Sequence, residues 1–399
     1  MVNSLRLRSF SNFFLGTILS TLLGIVALHL INKRLEPYEL GVFSYSYNLF
    51  MLIYPLVSLS IYTAYIRFIN DYPEKELIRF VSNISLLGVG IMSILIYLIS
   101  DREVLLLFSM VILLQERLYL LKSLNKVSIY NVVNIVQKSI LVSFLYYTES
   151  LDSDIVILYY SLSFIFAWSL SLLFRRKEGK NEETKFIFPL VEKKKILKYS
   201  FLSSVMTGIT WISSFSDQYV IKYYFGFEDL APYAIAFRLV SVISVATGVF
   251  LSYFPVIYFE DAKKKIYFSI KRYRNGFLLS LIITYILCVV LYEYIYIALG
   301  ADNYIGESRY FFILLIGEIL RVSASTYMIY FTYQLKQGFI LKSMIVVSTF
   351  NLVLNFILVP KYGAISAAYA TVISYSLYFT LSLRCYFLEK KYFSVTQEA

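Results

Sequence analysis

Lys138 sits near the middle of an apolar run, 128–147, and Asn131, Asn134 and Lys138 repeat at i, i+3, i+7, one face of a helix. A charge held at the centre of a bilayer costs roughly 2.5–3.5 kcal/mol on insertion scales, so it normally faces a cavity or a partner. Arg321 is about halfway through a second such run, 308–331, with Gly317, Glu318 and Ser325 on its face. The run 197–221 carries Thr210, Ser213, Ser214 and Asp217, and the run 340–359 carries Ser348, Asn351 and Asn355. Arg117 and Arg238 lie closer to the ends of their runs, where a long side chain can snorkel to the interface. Buried Lys and Arg attract phosphate and diphosphate groups, and Arg binds them bidentately. Glu318 and Asp217 have two open roles: pairing with these cations, Glu318 with Arg321 for instance, or carrying a coupling proton or Na⁺. For any one residue, hydrogen bonding between helices is the plain alternative. Stripes on several helices together favour a shared hydrated cavity. The candidate substrate contacts are Lys138 and Arg321 first, Arg238 and Arg117 as entrance or exit contacts, and Asn134 and Asn355. The candidates for ion coupling are Glu318 and Asp217.

The elements that must position these groups are membrane helices. Of the 399 residues, 59% are hydrophobic and 16% charged, against about 25% charged in ordinary soluble domains. The mean hydropathy is +0.67. A span needs about 20 apolar residues. Twelve runs qualify: 11–31, 41–63, 79–99, 104–122, 128–147, 155–174, 197–221, 233–257, 276–298, 308–331, 340–359 and 364–387. Glu116, Arg117 and Lys138 weaken the fourth and fifth. With the N-terminus inside, cytoplasmic segments hold 26 Lys and Arg, Arg274 among them, and external loops hold 6. That asymmetry places both termini in the cytoplasm. It also accounts for the net charge of +11 through the anionic inner leaflet, without nucleic acid as a partner. The first apolar run is too long for the core of a cleavable leader and has no small-residue cleavage site after it.

Catalytic signatures are missing. No Walker A loop, GxSxG or HExxH occurs, and the only histidine, His29, lies near the outer end of the first run. Cys288 and Cys385 sit inside apolar runs with no CxxC or His partner and read as small buried hydrophobes, so neither a disulfide nor a metal site is expected. The polar loops "ESLDSD" (149–154) and "SDREV" (100–104) are ordinary loop solvation, and the protein is not expected to be an enzyme.

The longest polar stretch, "RRKEGKNEETKFIFPLVEKKK" (175–195), reads as a charged cytoplasmic linker between two six-helix halves, 1–174 and 196–399. A weak repeat supports the division: "LEPYELGVFSYSYNL" (35–49) aligns without gaps to "FGFEDLAPYAIAFRL" (225–239) at an offset of 190. Halves of the same sense imply a repeat about an axis normal to the membrane. In "NLVLNFILVPKYGAISAAYATVIS" (351–374), Pro360 is expected to end one helix, Gly363 to permit the reversal, and Ala364, Ala367, Ala368 and Ala370 to let the next backbone come close.

Three segments carry a family resemblance. "NKRLEPYELGVFSYSYNL" (32–49) resembles the first external loop and second helix of polysaccharide flippases, with Glu36 where glycine is usual. "SDQYVIKYYFGFEDLAPYAIAFRL" (216–239) is similar to their seventh and eighth helices. "NLVLNFILVPKYGAISAAYAT" resembles the eleventh and twelfth, an Asn-x-x-x-Asn helix closing on Pro-x-x-Gly, with Ser366 replacing a second glycine. The resemblance is to the Wzx-type O-antigen and capsular polysaccharide flippases, relatives of MATE exporters and the lipid II flippase. It implies an all-α integral membrane protein of the bacterial cytoplasmic (inner) membrane, with about twelve helices in two six-helix bundles around a central cavity. It further implies translocation of an undecaprenyl-diphosphate-linked oligosaccharide, an O-antigen or capsule repeat unit, by alternating access during lipopolysaccharide or capsule biosynthesis. Membrane lipids and other polysaccharide-assembly proteins would be its partners, and no cofactor beyond coupling to H⁺ or Na⁺ is implied. The alternative is a MATE-like cation-coupled exporter of small organic solutes, which would bind through a mid-membrane carboxylate, Glu318 or Asp217.

Overall fold

Why these runs become helices follows from the solvent. In hydrocarbon every backbone N–H and C=O needs an internal partner, and a helix supplies one within each segment. The computed structural model describes residues 2–69, 71–100, 103–124, 126–174, 189–334 and 336–398, and among these it contains helices and no strand. The helices are α1 Val2–Arg34, α2 Pro37–Val57, α3 Ala64–Phe68, α4 Glu74–Ser100, α5 Val111–Ser123, α6 Val127–Tyr147 and α7 Ser153–Leu173. They continue with α8 Leu190–Lys263, α9 Tyr267–Val290, α10 Tyr292–Ala298, α11 Arg309–Tyr333, α12 Gln337–Tyr362 and α13 Ile365–Glu398. Each expected run falls on one of these helices or on a helix with its adjoining 3-10 turn, except 276–298, which is divided between α9 and α10 at Leu291. Among the described residues, seven helices are long and apolar enough to cross a membrane: α2, α4, α6, α7, α9, α11 and α12.

α8 is two helices joined at Gly226, whose φ of 87° and ψ of −169° lie where only glycine is comfortable. At the offset of 190, Gly226 aligns with Glu36, the residue before α2. There the break is made differently: Glu36 is extended (φ −65°, ψ 157°) and Pro37 opens the next helix. The departure from glycine at position 36 is therefore matched by a proline-led start that needs no positive φ.

The chain forms two compact units, 1–208 and 209–399. The expected linker, 175–195, lies mostly outside the described residues. Residues 190–208 belong with the first unit: Ile196 is buried among Ile61, Tyr65 and Leu77, Ser204 Oγ donates to Pro55 O (2.9 Å), and Tyr72 Oη donates to Glu192.

In the first unit α1 packs along α6, and α7 on α6 and on the 3-10 segment Glu103–Met110. Gly16 lets α1 approach α6 so closely that a Cβ there would lie 2.1 Å from Asn131 Cγ. At the end of α6, Arg34 Nη1 donates to the carbonyls of Leu145 (2.6 Å) and Thr148 (2.8 Å), covering acceptors that the helix leaves open. Glu39 Oε2 accepts from Ser153 N (2.8 Å) at the start of α7. Between α2 and α3 the span is broken. Leu59 and Ser60 take φ of 51° and 46°, and a 3-10 turn, Ile61–Thr63, follows. The freed Pro55 carbonyl accepts from Ser60 N (2.8 Å) and Ser204 Oγ.

In the second unit α13 packs along α11 and α12, and α9 against α11. Its core joins Phe254, Tyr258, Ala324, Met328, Tyr375 and Phe393. Gly363 (φ 81°) caps α12 and makes the reversal into α13, while Ala367, Ala368 and Ala370 are fully buried. Pro360 lies inside the last turn of α12 and does not end it, because helix geometry continues to Tyr362. Arg274 belongs to no loop. It is buried on α9, forms an ion pair with Glu389 of α13 (Nη1–Oε2 2.6 Å) and lies over the Tyr327 ring (4.7 Å), which neutralises and packs a charge that composition alone assigns to the cytoplasmic surface.

Candidate functional site

Each unit brings together a distinct set of the candidate residues. In the first, α6 carries Lys138 half-buried, with its Nζ 5.8 Å from the centre of the Tyr160 ring of α7, within cation–π range. Tyr160 in turn lies against Tyr47 (5.0 Å) and Phe43 (6.0 Å) of α2, so the ammonium borders an aromatic nest. No carboxylate lies within ion-pair distance of Lys138 among the described residues. Asn134, one turn away, donates to Tyr130 O (2.9 Å), and Asn131 is buried against α1 at Gly16. Arg117 of α5 is half-buried and points its Nε at Ser171 Oγ (3.5 Å) of α7.

In the second unit Arg321 is paired. Its Nε and Nη2 donate to Glu318 Oε2 (2.7 Å) and Oε1 (2.6 Å), and Ser244 Oγ also donates to Oε1 (2.7 Å). The Arg321 side chain keeps 35% of its surface exposed, so the pair is charge-compensated without being sealed. Arg238 is half-buried on the second arm of α8.

Asp217 and Asn355 form the tightest constellation. Asp217 is 1% exposed and Asn355 fully buried. Asp217 Oδ2 accepts from Tyr233 Oη (2.5 Å) and Thr371 Oγ1 (2.5 Å), and Oδ1 accepts from Asn355 Nδ2 (2.5 Å). Asn351 Oδ1 accepts from Asn355 Nδ2 (3.1 Å) and Ser216 Oγ (3.2 Å). No Lys or Arg reaches the carboxylate among the described residues, and Asn355 Oδ1 has no partner. These groups form a buried, oxygen-rich cluster around the Asp217 carboxyl on α8, α12 and α13. The asparagines of α12 thus serve a carboxylate sixteen residues before Tyr233, not only helix packing. Sequence spacing found Asp217 and Asn355 but missed Thr371 and Tyr233, since a hydroxyl on an apolar helix carries no signal until its partner is known. Glu116 of α5 and the Arg274–Glu389 pair also escaped notice as sites. No group of His, Cys, Asp and Glu suited to a metal occurs among the described residues.

The fold defines the class first. The chain resembles a multidrug resistance MATE family transporter of the MOP superfamily, in its inward-facing conformation, at a TM-score of 0.74 and 12% identity, with 95% of this chain and 96% of that one covered. It resembles the lipid II flippase MurJ, in an inward closed conformation, equally well at 0.74 and 16% identity, covering 93% and 86%. A MOP superfamily transporter from Pyrococcus furiosus, described by a reversed polarity of its binding pocket, matches at 0.61 and 12%, covering 98% and 96%. This is a multi-pass membrane protein with a MATE- and MurJ-like transporter fold. The family model described as "Polysaccharide biosynthesis protein" matches residues 7–258, and the chain belongs to that family. No curated protein sequence matches it significantly.

Proposed function

We propose that the protein is a flippase. It carries an undecaprenyl-diphosphate-linked oligosaccharide, an O-antigen or capsule repeat unit, across the bacterial cytoplasmic membrane by alternating access. Twelve helices in two bundles around a central cavity, with both termini cytoplasmic, form its frame. The observation that carries this reading is Lys138: a mid-span ammonium with no carboxylate partner among the described residues, beside tyrosine and phenylalanine rings, in a chain of the polysaccharide biosynthesis family. An anionic headgroup supplies the missing counter-charge, and the rings suit the apolar faces of sugars. Arg321, compensated by Glu318, Arg117 and Arg238 are secondary contacts, with Asn134 as a polar neighbour of Lys138.

The second unit fits the role of an energy coupler. Asp217, Asn355 Oδ1, Asn351 Oδ1 and Thr371 Oγ1 are hard oxygens gathered at a buried carboxyl, the donor type that a proton or Na⁺ takes. The orphaned Asn355 oxygen is the group that a bound cation would satisfy. The Glu318–Arg321 pair offers no such vacancy of charge.

The test is surface polysaccharide in a strain whose own copy is deleted. Lys138→Ala is expected to abolish it at normal protein levels, and Lys138→Arg to restore part. Asp217→Asn is expected to abolish it while leaving binding of the lipid-linked substrate intact. Full surface glycan in Lys138→Ala refutes the anion contact. Export of small cationic dyes, with no glycan phenotype, would transfer the chain to the exporter class.

A further inference from the structure

Glu116 is a membrane-embedded carboxylate of the first unit that the substrate reading does not use. It lies on α5 with 3% of its surface exposed. Its Oε1 accepts from Tyr65 Oη (3.0 Å) of α3 and from Ser82 Oγ (2.5 Å) of α4, so three helices meet at one oxygen. Neither carboxylate oxygen has a Lys or Arg nitrogen within ion-pair distance among the described residues, and Oε2 accepts no hydrogen bond. The titratable groups around it are few. Tyr65 faces it from α3, and Arg117, the next residue of α5, acts on it electrostatically while its Nε points toward Ser171 of α7. Tyr62 and Tyr130 face Tyr119 on the same helix, α4 contributes the uncharged Ser82, and Arg79 of α4 is exposed.

Charge is the difficulty. A buried carboxylate with no cation in direct contact favours the neutral form over the ionised one. Protonated, the acid holds its proton on Oε2 and still accepts from both hydroxyls through Oε1, so the arrangement accommodates the neutral form. A metal cation fits poorly, because three oxygens, two of them hydroxyls donating toward the third, fall short of the six or so that hard cations take.

The position gives this proton a mechanical consequence. Tyr65 is the second residue of α3, which follows the break at Leu59 and Ser60, where φ is positive, and the 3-10 turn Ile61–Thr63. Backbone kept in sparsely populated conformations collects at segments that switch. We propose that Glu116 is a proton-binding site of the transport cycle, holding a proton on Oε2 and releasing it to water as the unit changes state. On release, the hydrogen bonds from Tyr65 and Ser82 become charge-assisted and about twice as strong, and the 3.0 Å Tyr65 bond has room to shorten, tightening α3 on α5. This site is separate from Asp217 and needs no particular substrate.

Difference infrared spectroscopy of the full-length protein in lipid vesicles, titrated with acid and base alone, tests it. The wild type is expected to show a protonated-carboxyl C=O band that Glu116→Gln removes and Asp217→Asn keeps. Glu116→Asp is expected to retain the band with a shifted midpoint. In cells, Glu116→Gln, which preserves both hydrogen bonds to the carbonyl oxygen, is expected to lose surface polysaccharide, and Glu116→Asp to move the pH at which export is best. A band unchanged in Glu116→Gln overturns the proposal, as does a band erased by Na⁺ at constant pH. Wild-type export with a wild-type pH profile in Glu116→Gln overturns it too, leaving Glu116 a buried structural acid. If Glu116→Gln does not accumulate, a wild-type midpoint in Glu116→Asp is the refuting result. The infrared arm is independent of the glycan, so failure of the flippase reading leaves it standing.

Discussion

Removing one partner from the Arg274–Glu389 pair exposes how much of the second unit depends on local charge balance. Both side chains are 1% exposed, the ion-pair distance is 2.6 Å, and Tyr258 Oη donates to the other oxygen of Glu389 at 2.7 Å. Arg274 also lies 4.7 Å from the centre of the Tyr327 ring and 5.6 Å from that of Tyr386. Glu389→Leu therefore leaves a guanidinium enclosed by rings with no anion. Breaking a buried pair by deleting one member typically costs about 3–5 kcal/mol, because the survivor keeps its desolvation penalty. At roughly 2–4 °C per kcal/mol for 150–250 residues, the expected fall in Tm is about 6–20 °C. The double change Arg274→Met with Glu389→Leu removes both charges and keeps the volume, so it is expected to recover most of that loss, as apolar replacements of whole buried pairs do. The assay is thermal unfolding of detergent-solubilised protein followed by Trp fluorescence, run as a double-mutant cycle. If the double variant is no more stable than Glu389→Leu, or if Glu389→Leu unfolds like the wild type, the pair is not buried as described.

Three further outcomes follow from individual contacts. Gly16→Ala forces the Asn131 side chain away and is expected to destabilise by about 1–3 kcal/mol; adding Asn131→Ala should restore stability in the same unfolding assay. Gly226→Ala places a Cβ in a backbone region reserved for glycine, an expected loss of about 1–3 kcal/mol, although the space around it is open. Thr371→Val removes one donor from Asp217 and leaves its volume nearly unchanged. It is expected to weaken the dependence of export on the coupling ion without altering protein level, measured as surface polysaccharide against external Na⁺ and pH.

The fold was almost wholly legible because the bilayer simplifies the rules: apolar runs of sufficient length become helices, and the turns fall at Gly226, Gly363 and Pro37, where backbone chemistry announces them. The break after Val57 was not legible. Leu59 and Ser60 are ordinary residues in an apolar run, and the side chain that meets the freed Pro55 carbonyl there, Ser204, lies nearly 150 residues later. The site divides along the same line. A charge in oil is visible by itself, so Lys138, Arg321, Glu318 and Asp217 stood out at once. What each charge meets was hidden, because pairing is a property of three-dimensional neighbours. Arg321 meets Glu318 one turn away, a spacing the sequence does reveal. Lys138 meets a ring, and Asp217 meets two hydroxyls and an amide from distant helices.

That contrast also ranks the charges as functional groups. A cation already neutralised by a carboxylate offers an incoming anion only a shared attraction, whereas an ammonium beside aromatic rings offers an unshared one. By the same reasoning, a buried carboxylate tied only to neutral donors has more to gain from a proton or Na⁺ than one already paired with arginine. Lys138 and Asp217 therefore rank above Arg321 and Glu318, although the four look alike when read as charges in apolar runs.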